Sequence, residues 1–217
     1  MRRYRIVFVA VIVVCVVVTA FVMNMVFSGN KETKIKAELP GIEFSATGAR
    51  GFTSKAKALE YAREIRNSGG AGFVDFEGEW FVIKVIGEGN LEFSAEAVEV
   101  SLVNAEHKEL FDTLVLSFAE NTATLRTLSE KSAREVSVEA LRLYNELCEV
   151  LYNFDKALDI TSSAVYSEIL VAVNKQLLAL FLLSVEKNGG NVSSALNYCV
   201  CVISFAYIEL LTSLRSL

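Results

Sequence analysis

His107 is the only histidine of the chain, and it is accompanied by four cysteines, Cys15, Cys148, Cys199 and Cys201. A hydrolytic triad needs a base beside its nucleophile and a zinc centre draws on several His or Cys ligands, so one histidine leaves little to build with. His107 reads as a solvated or capping residue at the start of a helix. Cys199 and Cys201 form a C-x-C pair, but two residues apart on a helix they point to different faces. With Cys148 they read as buried free thiols rather than a disulfide framework. Asp155 and Asp159 have the i, i+4 spacing of paired carboxylates, a spacing that on an amphipathic helix describes a solvated face more often than an acid and a base. No catalytic residue, metal or cofactor is expected.

The other chemistry open to the chain is binding. Trp80 and Phe73 offer flat aromatic surface, and Asp75, Glu43, Ser45 and Lys84 offer hydrogen-bonding groups. Placed together, they would suit a carbohydrate, whose C–H face stacks on a ring while its hydroxyls need donors and acceptors. A bland alternative is that Trp80 only covers a sheet or packs beneath the C-terminal helices.

What would bring these six together is a sheet. Ile42 to Ala46 alternates apolar and polar, as a half-buried strand does. Thr53 or Ser54 can cap a helix with an apolar stripe of Ala56, Leu59, Ala62 and Ile65, which Gly69-Gly70 would end. Gly72 to Phe76 and Glu79 to Ile86 flank Glu77-Gly78, which reads as a two-residue hairpin loop. That loop sets Asp75 opposite Trp80, Val74 opposite Phe81 and Phe73 opposite Val82. Val74, Phe76, Phe81, Ile83 and Val85 then face the helix with Ile42, Phe44, Val98, Val100 and Leu102. Phe73, Asp75, Trp80, Val82 and Lys84 lie on the open face with Glu43, Ser45, Glu99 and Ser101.

Ahead of the sheet, the uncharged run Ile6 to Phe27 follows Arg2, Arg3 and Arg5. Its 22 residues exceed the roughly 20 needed to cross a bilayer core. It reads as a transmembrane anchor in preference to a cleaved signal peptide, whose apolar region is shorter. The arginines place the N-terminus in the cytoplasm and the bulk of the chain outside it, although Lys31, Lys34 and Lys36 reduce the asymmetry. Beyond the three arginines the chain holds 18 basic and 26 acidic residues, a net charge of −8. Nucleic acid is therefore not an expected partner.

The expected order is a cytoplasmic tip and anchor (1–27), a linker (28–40), a small α/β domain (41–104) and a helical domain (105–217). In the last, Phe111, Leu114, Val115, Phe118, Leu125 and Leu128 mark one helical stripe, and Leu141, Tyr144, Leu147, Cys148, Leu151, Phe154 and Leu158 a second. Two further helices, about 164–187 and 194–214, are apolar nearly all round. Glu168, Lys175 and Glu209 favour bundle helices or a partner-facing surface over a membrane hairpin, because a charge at a bilayer centre costs about 2.5–3.5 kcal/mol.

The motifs Gly51-Phe52-Thr53-Ser54-x-x-x-Ala58, Ala62-Arg63-Glu64-Ile65-Arg66, Gly69-Gly70-Ala71-Gly72-Phe73-Val74 and Trp80-Phe81-Val82-Ile83-Lys84-Val85, in this order, resemble the SPOR (sporulation-related repeat) domain of clostridial membrane-anchored proteins. The resemblance covers Gly41 to Val103. It implies a ferredoxin-like β-α-β-β(-α)-β unit within an α+β chain, with a second helix over Gly89 to Glu96. It also implies binding of denuded peptidoglycan glycan strands at division or sporulation septa through the sheet face turned from the helices, with Trp80 and Phe73 stacking and Asp75, Glu43, Ser45 and Lys84 hydrogen-bonding. Glu43 and Ser45 stand where that family's first strand usually has a Gln, which favours the alternative of a membrane-anchored interaction or oligomerisation scaffold that binds no glycan. A protein partner or a second copy would then meet the helical domain. An envelope hydrolase is the third and least supported reading.

Overall fold

The computed structural model of the chain describes residues 35–102, 105–157, 164–186 and 191–217. The expected anchor and its basic flank, the side chain of His107, and Asp155, Leu158 and Asp159 lie outside the described residues or side chains. Ile35–Leu217 form one compact α+β unit, and the boundary expected between 104 and 105 falls inside it. Its described elements are β1 (Ile35–Leu39), β2 (Ile42–Phe52), α1 (Lys55–Asn67), β3 (Phe73–Glu77), β4 (Glu79–Ile86), β5 (Leu91–Ala95), β6 (Val98–Leu102), α2 (Ala105–Arg126), α3 (Ala133–Ala157), α4 (Ala164–Val185) and α5 (Val192–Arg215).

The expected linker contains a strand. Ile35-Lys36-Ala37-Glu38-Leu39 alternates apolar and polar, and β1 pairs antiparallel with β6, Ile35 opposite Leu102 and Leu39 opposite Val98. Ala37, Leu39, Val98 and Val100 are buried by this pairing, while Lys36 and Glu99 form an exposed ion pair on its other side. The expected second helix over Gly89 to Glu96 is instead β5. Leu-Glu-Phe-Ser-Ala has strand periodicity, with Leu91 and Phe93 buried and Glu92 and Ser94 exposed.

The main sheet has the antiparallel order β3-β4-β2-β5. β2 pairs with β5 through Ile42–Ala46 and with β4 from Ala46 to Phe52. It bends between these halves at a register shift beside Gly48, where an added Cβ would stand 2.3 Å from the Val82 carbonyl oxygen. Asn90 clasps the bend, accepting from the Gly48 N–H and donating to its carbonyl, both at 3.1 Å. α1 begins where Ser54 accepts from the Lys57 N–H, and it packs through Ala58 and Ala62 on Val82, Val74 and Trp80. The expected α1 stripe is rotated: Leu59 is exposed and Ala58 lies at the centre of the contact.

The hairpin register also differs from expectation by one residue. Gly78, at φ +73°, sits in a turn that pairs Phe76 with Trp80, Asp75 with Phe81, Val74 with Val82 and Phe73 with Ile83. Phe81, Val82 and Ile83 are consecutive and all buried. β4 is covered on both faces, so apolar alternation along it could not specify which face meets α1.

The second cover is α5. Phe205 lies 4.9 Å from the rings of both Phe73 and Phe93, 5.6 Å from Phe44 and 5.7 Å from Phe81. The sheet is thus the middle layer between α1 and α5. α5 also closes a four-helix arrangement in which α2–α3, α3–α4, α4–α5 and α5–α2 are neighbours. Across that bundle the fully buried Gln176 of α4 donates to the Ser117 carbonyl of α2 at 3.1 Å, which satisfies a polar group that burial alone would penalise. On α3 the inward residues are Val136, Ala140, Leu143, Leu147 and Phe154. Leu141, expected inside, is exposed.

Candidate functional site

The six residues expected on one open face are divided between the two sides of the sheet. Phe73 packs under α5 against Phe205 and Tyr198. Asp75 is on the same side, at the rim of a cleft of about 340 Å³ lined also by Phe81, Phe93, Phe205 and Glu209. Trp80 lies under α1, beside Phe76 at 5.0 Å, with the Lys55 ammonium 5.5 Å over its ring. Lys84 is exposed, and its carbonyl accepts from the Ala71 N–H. Glu43 and Ser45 alternate with Phe44 and so point away from α5. Glu43 is exposed, and Ser45 donates to the Gly87 carbonyl in the β4–β5 connection. The shared open face is therefore not formed: the one-residue register difference moves Phe73 and Asp75 across the sheet, and α5 occupies the side they reach.

The Asp75 cleft sets a half-buried carboxyl among several paired charges. Burial pushes the Asp75 carboxyl above the usual carboxylate range, opposed by the Phe76 N–H it accepts and reinforced by Glu209. Nearby, Arg50 lies over Phe81 and Phe93 at 5.3 and 4.9 Å and pairs with Glu77 at 3.0 Å. Lys175 pairs with Glu209 between α4 and α5. These cations and anions neutralise one another, and a described nucleophile with an adjacent base is not among them. No cluster of three or more potential metal ligands occurs among the described residues. Of the cysteines, Cys199 and Cys201 are buried in α5 and Cys148 is half-buried on α3, all three as free thiols.

Most of the exposed large apolar side chains among the described residues lie elsewhere, on the outside of α3 and α4. Val138, Leu141 and Tyr152 of α3 and Val171, Leu178, Phe181, Leu182 and Val185 of α4 are all exposed, from 44% for Phe181 to 65% for Tyr152. Two contacts make these one surface. Ser137 donates to the Ser184 carbonyl, and Tyr144 meets Phe181 at 5.8 Å, so the helices run antiparallel and Val138 and Leu141 stand beside Val185 and Phe181. Leu182 and Val185 continue into a cleft of about 650 Å³ shared with Tyr198 of α5 and Arg66 of α1. Sequence periodicity pointed inward for Leu141 and Cys148; the signal missed was a second apolar stripe on a helix that already had one.

α4 and α5 are both long and apolar enough to cross a membrane, at 22 and 24 residues. They differ in burial: 61% of the apolar window of α5 is enclosed by the rest of the fold, against 39% for α4. No protein-family model matches the sequence, and no curated protein or solved structure is similar to it.

Proposed function

We propose that this is a membrane-tethered, non-catalytic interaction protein, with the outer face of α3 and α4 as its docking surface. The observation that carries the reading is that face: eight large apolar side chains left exposed along two adjacent helices, far more than scattered surface residues require. The run Ile6 to Phe27 supplies the tether, with the N-terminus cytoplasmic and the folded unit outside. Position 178 of the full-length protein in its native membranes tests the reading when a photo-reactive side chain is placed there. A protein adduct of discrete mass from 178, and none from the exposed Glu130, is the expected result. Adducts to lipid alone, or none, would overturn it.

A second reading keeps the SPOR resemblance. The order β3-β4-β2-β5, with β4 between β2 and β3, is that of a split β-α-β unit lacking its second helix. Phe76 and Trp80 form an aromatic pair at the sheet edge, and Phe76 is 54% exposed. In this reading the pair stacks on peptidoglycan glycan at septa, and the sugar contacts are Trp80 and Phe76 rather than a six-residue face. Full-length protein should then be retained on amidase-treated sacculi and lose retention in the Phe76→Ala, Trp80→Ala double variant. Equal retention of the variant would remove this reading.

A further inference from the structure

We infer that the docking surface of α3 and α4 receives a second copy of this chain, in a two-fold arrangement of the two helix pairs; this rests on the reading of that face as a docking surface. The spacing of the exposed residues is the first support. On α4, Ser167, Val171, Asn174, Leu178, Phe181 and Val185 follow one another at steps of four, three, four, three and four, and all six are exposed. On α3, Arg134, Val138, Leu141, Asn145, Cys148 and Tyr152 do the same, with Cys148 alone half-buried. The mean step is 3.6 residues, the period of a straight helix, so each stripe keeps to one face over about five turns.

Polarity is the second support. Each stripe has an asparagine near its middle, Asn145 and Asn174, which a lipid phase would leave unsatisfied and a facing helix can pair. The α4 stripe contains no charge, whereas Lys175 lies to one side and is paired with Glu209. On the outer flank of α3, Glu135, Arg142 and Glu149 are exposed and seven residues apart, alternating in sign, with Arg142 also paired along its own helix to Glu139 and Glu146. A two-fold axis near Asn145 and Glu146 would set Arg142 of one copy against Glu149 of the other. The same patch on both partners is what a closed dimer requires.

Tethering is the third support. Only residues 28–34 separate the expected anchor from Ile35, a reach of about 25 Å at most when extended. An anchor at Ile6 to Phe27, as the proposed function has it, would hold the copies in one membrane, where the second encounter is favoured by effective concentration.

The test uses full-length Cys15→Ser protein in its native membranes, treated with a flexible bismaleimide. Cys199 and Cys201 are buried, leaving the half-buried Cys148 on the α3 stripe as the most exposed of the described thiols. A cross-linked dimer should form and should fall about tenfold or more in Leu178→Lys, Leu182→Lys protein, with helical signal and melting temperature retained. Should that variant lose its helical signal, Val138→Lys on the other helix, at 62% exposure, takes its place. Sedimentation of the detergent-solubilised chain should change from dimer to monomer in parallel. A dimer that persists in a folded variant would overturn the inference. A monomeric wild type that still gives a protein adduct from position 178 would overturn the second copy while leaving the docking surface standing. A monomer without that adduct would overturn both.

Discussion

Phe205 of α5 and Phe73 of β3 lie 4.9 Å apart with their rings inclined at 31°. They are more than a hundred residues apart in sequence, yet together with Phe81 and Phe93 they form the centre of the contact between sheet and bundle. The α/β segment and the helices consequently share a core, and unfolding one exposes the other.

Phe205→Ala should therefore destabilise the whole unit by about 3–5 kcal/mol, the range for deleting a buried aromatic ring. Urea unfolding followed separately by Trp80 fluorescence and by helical ellipticity should give coincident transitions in both proteins. Two separated transitions in the wild type would contradict the shared core.

Two glycines should respond to alanine for different reasons. At Gly48 the added Cβ meets the Val82 carbonyl at 2.3 Å, so Gly48→Ala forces the β2–β4 backbones apart and should cost about 1–3 kcal/mol. At Gly78 nothing lies within 4 Å, but φ is +73°, and Gly78→Ala should cost about 1–2 kcal/mol through backbone strain alone. Denaturant midpoints measure both, and Gly78→Asn should recover part of the second loss.

Asp75 gives a pH signature. Its carboxyl is held above its ordinary value of 3.8, so the folded state holds this proton more tightly than the unfolded chain. Its contribution is most favourable below pH 3.8 and is lost as pH rises through the folded value. Asp75→Asn should thus be modestly stabilising at pH 7, by under about 1 kcal/mol because the group is half exposed. The gain should shrink as pH is lowered towards 4, which paired melts across that range will show.

Lys175 and Glu209 join α4 to α5 at the surface, with side chains 44% and 47% exposed. A double-mutant cycle should give a coupling of under about 1 kcal/mol that falls with added salt. A much larger, salt-insensitive coupling would mean that this pair is removed from water, as a membrane location of the two helices would require.

Much of the local structure was legible in the residues. Thr53-Ser54 marked the start of α1, where Ser54 is the cap, Gly78 the hairpin, and the helical repeat of Phe111, Leu114 and Phe118 the inward face of α2. β1 was hidden by the charges of Lys36 and Glu38, although Ala37 and Leu39 between them carried the strand period. The sheet's faces were not legible, because Phe81-Val82-Ile83 is apolar without interruption and only the approach of α5, more than a hundred residues away, determines which side each residue meets. The expected binding face depended on that assignment, and it dissolved with it.

The attachment of α5 has a consequence for synthesis. Asn191 and Asn197 donate to the carbonyls of Arg66 and Gly69, and Ser193 donates to that of Gly69, at the end of α1. Until a ribosome has delivered residues 191–215, those carbonyls lack these partners and the rings of Phe73, Phe81 and Phe93 lack the surface that Phe205 provides. Nascent chains short of this point would present a sticky, half-finished sheet to chaperones and proteases. The first described strands therefore reach their final packing only once α5 is available.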